Sequence, residues 1–269
     1  MKALFLTFAI LICQLLASQK LVFGVTSTVE HHLMQTKLTP LMKKIEKATN
    51  AKLIFQTGYD YTDMINKFAD GTFDIGLIGP APYVKVQNIN PNALVILVGI
   101  KNSKNNPFRS VIVSKKGSKF IKYSDLKNTK FAFGSPNSTL SYYVPRYMLE
   151  NSNTMKKIKR YNFLGRHDKV AQYVIMGKFA AGAIKQSIAN KYSKYLQVIA
   201  TSEAMPGFMI VANKKLDKKL MLKIKNLLLN LKDISALKKI KKTAIGFEKR
   251  EDSQYNKLRE IMKEVETYK

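Results

Sequence analysis

The chain has 269 residues, 46% of them hydrophobic, and its 46 Lys and Arg against 18 Asp and Glu give a formal net charge of +28. That length holds two modest domains or one large one with a real core, and the apolar content excludes a disordered chain. A single cysteine excludes a disulfide framework. The lysines are spread along the chain with no nucleic-acid-binding motif, so the charge reads as a solvated basic surface that also attracts anionic ligands.

The first residues carry one Lys, an apolar run from Ala3 to about Leu16, then Ala17 and Ser18. A membrane span needs about 20 apolar residues. This shorter run has the form of a secretory signal cleaved after Ala17 or Ser18, so residues 1–18 are assigned to a signal peptide and the mature protein to the periplasm. An uncleaved anchor is the alternative. Cys13 would suit a lipid-modified cysteine only if Ile12 were small.

From Leu21 to Val25 a short strand is expected, followed by the loop Thr26-Ser27-Thr28. A helix over Val29 to Ala48 has Leu33, Leu38, Leu41, Met42 and Ile45 as its apolar face. Ala51 to Gln56 reads as a strand, Tyr61 to Asp70 as a helix with Met64, Ile65 and Phe68 facing inward, and Asp74 to Ile78 as a buried strand running into the loop Gly79 to Tyr83. Ala93 to Ile100 and Ser110 to Ser114 are β-prone, with the polar link Lys101 to Asn106 between them. Strands alternating with helices predict parallel pairing and an α/β domain, in which ligands collect beyond the carboxyl ends of the strands.

The pattern then restarts. A helix start near Asp125, strand Lys130 to Phe133, helix Thr139 to Glu150, strand Arg160 to Phe163 and helix Asp168 to Met176 are followed by strand Ala180 to Ile184, helix Ser187 to Tyr192 and strand Gln197 to Ala200. Beyond Met205-Pro206-Gly207 comes the strand Phe208 to Ala212, then two or three helices. Leu220, Ile224, Leu227, Leu228 and Leu231 share one face; Tyr255, Leu258, Ile261, Met262 and Val265 share another. If these helices pack back on the first unit, residues 19–112 and 208–269 form one lobe and 113–207 the other, joined by two crossings that act as a hinge.

Where strand Lys130 to Phe133 hands over to a helix, the chain places Ser135, Asn137, Ser138 and Thr139. Such residues cap a first turn, and a helix N-terminus with extra hydroxyls also suits an oxyanion. The adjacent pair His31-His32 points in different directions on a helix, so no metal is assigned, and no cofactor.

In order along the chain, FDIGLIGPAPYV (Phe73 to Val84), FRSVIVSKKG (Phe108 to Gly117), DLKNTKFAFGSPNSTLSYYVPRYML (Asp125 to Leu149), GRHDKVAQYVIMGKFAAGAIK (Gly165 to Lys185) and ATSEAMPGFMIVA (Ala200 to Ala212) resemble the substrate-binding proteins of phosphate, phosphite and phosphonate ABC transporters. The resemblance implies the periplasmic binding protein type II fold, an α/β protein of two lobes, each with a mainly parallel sheet flanked by helices. It also implies a small oxyanion held in the interlobe cleft and delivered to an ABC permease in the membrane. The ligand contacts carried over are Ser138, Thr139 and Ser141, Tyr83 from the first lobe, and His167 after a glycine turn. An acidic contact near the second crossing falls on Glu203, while Gly24 to Thr28 lacks the second aromatic expected there. The protein is expected to be a monomer that meets no nucleic acid. One alternative partner is a membrane sensor kinase; another reading is an enzyme with Ser138 as nucleophile and His167 as base. No G-x-S-x-G turn surrounds Ser138 and no third group orients the histidine, so the reading is a binder, not an enzyme.

Overall fold

The computed structural model describes residues 19–26 and 31–268; the expected signal peptide and the Ser27-Thr28 loop fall outside them. Strand β1 (Lys20–Val25) leads to α1 (His31–Thr49), β2 (Lys52–Gln56), α2 (Tyr61–Asp70), β3 (Ile75–Ile78), α3 (Pro80–Ile89) and β4 (Leu94–Asn102). Leu38, Leu41, Met42 and Ile45 of α1 are buried as expected, but Leu33 is 46% exposed and Met34 takes its place. Asp60 caps α2 by accepting from the Asp63 N–H at 2.8 Å, and Gly71 closes it in the left-handed conformation, φ 88°. The segment after β3 is helical from Pro80 rather than a loop. Pro80 and Pro82 lie in its first turn, where missing N–H groups leave no hydrogen bond unmade.

A second set follows: β5 (Ser110–Lys115), a 3-10 turn (Tyr123–Leu126), β6 (Lys130–Phe133), a π-helical turn (Thr139–Tyr143) continuing into α4 (Val144–Asn151), and β7 (Arg160–Phe163). Then come α5 (His167–Ile175), β8 (Ala181–Lys185), α6 (Gln186–Lys191) and β9 (Leu196–Thr201). The chain returns through β10 (Met209–Asn213) to α7 (Lys218–Leu229), α8 (Ser235–Ile240), β11 (Ala244–Glu248) and α9 (Asn256–Thr267). Strand β11 was not anticipated: Gly246 interrupts its apolar pattern, and its register on β4 shifts between Ala244 and Gly246.

The strands form two sheets, ordered β11-β4-β10-β3-β1-β2 and β7-β6-β8-β5-β9. Strand β1 pairs parallel with β2 and β3, and β6 parallel with β7 and β8, with a helix on each connection from β1 to β2, β2 to β3, β6 to β7 and β7 to β8. The sheets are nonetheless mixed, because each contains a strand delivered from the other lobe. Strand β10 inserts antiparallel between β3 and β4, and β5 inserts antiparallel between β8 and β9. All of β5 belongs to the second sheet, so the expected boundary at 112/113 cuts through a strand; the crossings are residues 103–109 and 202–208.

The first lobe buries α1, α7 and α8 on one face of its sheet. On the other face α2, α3 and α9 pack in a cluster that also takes in Leu140, Tyr143 and Val144 from the second lobe. The terminal helix α9 thus touches both lobes, and the Tyr143 hydroxyl donates to Glu266 at 3.2 Å. At the hinge, Phe108 and Phe208, one on each crossing, meet edge to face at 5.8 Å. The Tyr255 hydroxyl donates to the Gly207 carbonyl at 3.0 Å. Among the described residues no helix is long and apolar enough to cross a membrane.

Candidate functional site

A cavity of about 260 Å³ lies between the lobes. Its second-lobe wall is built where β6 ends. Gly134 allows a close approach there: a Cβ on it would fall 2.5 Å from Ser141 Oγ. Ser138 is the N-cap of the π-helical turn, its Oγ accepting from the Ser141 N–H at 3.1 Å. Thr139 Oγ1 accepts from the Ala81 N–H of α3 at 2.9 Å, a bond between lobes. In the first lobe Thr26 Oγ1 accepts from the Gly79 N–H at 3.1 Å. A hydroxyl has one proton to give as well as lone pairs. Ser138, Thr139 and Thr26 all line the cavity, and the protein uses each as an acceptor in a way that leaves the proton for an anion. The first N–H groups of a helical turn lack intrahelical acceptors and carry the positive end of the helix dipole. Capping and anion binding are therefore compatible at Ser138.

Two turns are tied together to bring His167 to this wall. The Leu164 N–H donates to the Phe133 carbonyl at 2.9 Å and the Gly165 N–H to the Gly134 carbonyl at 3.0 Å, with Gly165 at φ 80°. His167 opens α5, and its Nδ1 accepts from the Lys185 N–H at 3.1 Å. That bond puts the ring proton on Nε2, making the imidazole a neutral donor. Burial, reinforced by the Lys185 charge, lowers its pKa to about 3.

Two lysines also line the cavity, as do Tyr61, Asn102, Asn106 and Asn137. Lys185 ends β8; burial lowers its ammonium pKa, partly offset by Asp168. Lys241 follows α8, and its Nζ is buried without a hydrogen-bond partner among the described residues. It lies 4.7 Å from the ring centroid of Phe108 and 4.9 Å from that of Phe208. Burial first, then the charges of Lys185 and Arg250, bring its pKa down to about 7. None of the described lining residues is Asp or Glu.

Of the six residues expected at the site, Ser138, Thr139 and His167 meet in this cavity and three do not. Tyr83 is 1% exposed because the helical turn of α3 carries it away from the cleft. Its hydroxyl donates to Asp252 at 2.6 Å and accepts from Gln87 at 2.8 Å, and burial followed by Asp252 raises its pKa. Ser141 is fully buried, accepting from the Gly134 N–H at 2.7 Å and donating to the Ala183 carbonyl, so it ties the turn to β8 instead of facing the cavity. Glu203 sits at the second crossing, but its side chain is 76% exposed and paired with Lys257 on α9. Conversely, Thr26, Lys185 and Lys241 were missed. The first two sit at carboxyl ends of strands, where a site is expected. Lys241 lies within KKIKK, which reads as a solvated charge run.

The mixed sheets, two crossings and interlobe cavity define a two-lobed α/β fold with a cleft between the lobes. The family model described as ABC transporter, phosphonate, periplasmic substrate-binding protein matches residues 23–255, and the chain belongs to that family. Among curated relatives, the probable ABC transporter phosphite binding protein PhnD1 of Prochlorococcus marinus is 27% identical over 155 residues, covering 54% of this chain and 51% of that protein. The phosphonates-binding periplasmic protein of Escherichia coli is 26% identical over 207 residues, covering 72% and 61%. The matches thus span between half and two thirds of these relatives' lengths. In structure, PhnD1 from Prochlorococcus marinus in complex with methylphosphonate superposes with a TM-score of 0.79 at 23% identity, covering 92% of this chain and 98% of that one. A binding protein component of an ABC phosphonate transporter from Pseudomonas aeruginosa gives 0.78 at 19%, covering 93% and 87%.

Proposed function

We propose that this protein is exported, captures a small phosphorus oxyanion such as phosphonate, phosphite or phosphate in the interlobe cavity, and delivers it to an ABC permease. The observation that carries the reading is the cavity's donor set. Three hydroxyls whose lone pairs are already engaged, a helix N-terminus, a neutral imidazole with its proton on Nε2 and two lysines face one space. Donors and cations with no facing carboxylate among the described residues suit an anion rich in acceptor oxygens. Ser138 and Thr139 clasp the oxygens from the second lobe, His167 Nε2 adds a donor, and Thr26 closes from the first lobe.

Binding rather than catalysis fits the surroundings of Ser138 and His167. Ser138 Oγ is held as a helix cap, and His167 Nδ1 is engaged by a backbone N–H where a catalytic base would donate to an orienting carboxylate. Family membership and a fold shared with a methylphosphonate-bound protein support the ligand class.

Thermal unfolding of the mature protein with phosphate, phosphite, methylphosphonate and sulfate tests this. Ligand at about a hundred times its Kd adds about 2.7 kcal/mol and moves the midpoint by several degrees. A rise with at least one phosphorus oxyanion is expected; no rise with any of them overturns the proposal.

A further inference from the structure

Hydroxyls and a helix N-terminus accept any small oxyanion, so discrimination rests on what else the ligand meets. Here it meets two ammonium groups from opposite sides. Lys185 projects from the end of β8 in the second lobe, and Lys241 from the link between α8 and β11 in the first. Lys241 Nζ has no hydrogen-bond partner among the described residues and rests on Phe108 and Phe208, the aromatic pair that joins the two crossings. A buried ammonium without a counter-charge is unfavourable, and it persists where something else supplies the charge.

The neighbouring charged groups do not supply it. Arg250 adds to the positive potential at Lys241 and is itself paired with Glu248. Asp168, the carboxylate that acts on Lys185, is flanked by Arg166 at 3.8 Å and Lys191 at 3.7 Å and does not line the cavity. A ligand bearing two negative charges answers both lysines. A ligand bearing an ammonium group of its own meets two like charges and, among the described lining residues, no carboxylate to receive it.

We propose that Lys185 and Lys241, one from each lobe, set the specificity of this cleft: it takes a compact, fully ionised oxyanion and rejects phosphonates that carry an amino group. The inference rests on the cleft binding phosphorus oxyanions at all, and it names which of them bind. It also gives the lysines a part in closure, since the like charges that the two lobes present to each other are reconciled by the anion between them.

Calorimetric titration of the full mature chain at pH 7, where the Lys241 ammonium is still populated, with propylphosphonate and 2-aminoethylphosphonate tests it. The two are near-isosteres that differ by a methyl in place of an ammonium group. Propylphosphonate is expected to bind at least about tenfold more tightly, about 1.4 kcal/mol. Lys241→Met and Lys185→Met are each expected to weaken propylphosphonate and narrow the gap between the two ligands. Lys241→Gln, checked by circular dichroism, serves if the Met variant does not fold. Equal affinity of the wild-type protein for both ligands overturns the inference, as does a gap that persists undiminished in both lysine variants. In either case binding of phosphate, phosphite or methylphosphonate leaves the proposed function standing. If none of these ligands binds, both fall.

Discussion

Lys241→Met should stabilise the ligand-free protein, although Lys241 belongs to the cleft. The unpaired Nζ sits against Phe108 and Phe208, so the site already has an apolar lining for a methionine. Holding an ammonium pKa at about 7 instead of 10.5 corresponds to about 5 kcal/mol, at about 1.4 kcal/mol per tenfold. Water entering an open cleft screens much of this, which leaves about 1.5 kcal/mol. For a chain of this size that raises the midpoint by about 3–6 °C. The pH dependence has a definite sign. Between pH about 7 and 10.5 the unfolded chain binds a proton that the folded chain does not, so wild-type stability at this position rises with pH across that window. The advantage of Met over Lys is therefore largest below pH 7 and fades towards pH 10.5. Differential scanning calorimetry of both proteins at pH 6 and pH 10, without phosphate in the buffer, measures it. A variant no more stable than wild type at pH 6 would refute the claim that Lys241 is buried without a counter-charge.

Ser141→Ala, which removes the hydroxyl's bonds to the Gly134 N–H and the Ala183 carbonyl and leaves the Gly134 N–H only its longer bond to the Ser141 carbonyl, should cost about 1–3 kcal/mol of stability while ligand still raises the midpoint. Loss of binding with unchanged stability would instead put Ser141 in the cleft. The His167 imidazole, at about 3 against an ordinary 6.5, should show no NMR titration between pH 5 and 8. Because the unfolded chain binds that proton first, the stability from the neutral ring is complete above about pH 6.5 and lost as the pH falls towards 3, so His167→Asn should flatten the acid limb of stability against pH. Glu203→Gln breaks only an exposed pair with Lys257; it should change stability by less than about 1 kcal/mol and leave affinity unaltered, and a large change in affinity would return Glu203 to the site.

The parts of the fold with regular periodicity were legible. Helix α2, with Met64, Ile65 and Phe68 buried, and strand β6 emerged with the expected bounds. What failed was read against a local rule that tertiary packing overrode. Two prolines after β3 suggested a loop, yet both sit in a helix's first turn, and that turn decides where Tyr83 points. The mixed sheets were not visible because antiparallel insertion of β5 and β10 follows from the path of the crossings between lobes, not from any local pattern.

The site divides similarly. A hydroxyl cluster at a strand-to-helix handover marks Ser138 and Thr139 locally, and the resemblance adds His167. Ser141 has the same residue type and falls one step inside the turn, where it serves the fold. Lys241 is indistinguishable in sequence from Lys238, Lys239 and Lys242 around it. Only the packing of the link after α8 over the hinge aromatics sets it apart.

Calorimetric titration of phosphate, phosphite and methylphosphonate into wild type and the Ser138→Ala/Thr139→Ala variant addresses the central claim most directly. Saturable binding of at least one of them at one site per chain is expected, and its loss in a variant that keeps the wild-type circular dichroism spectrum. Unchanged affinity in that variant, or no heat of binding with any of the three in wild type, would contradict it.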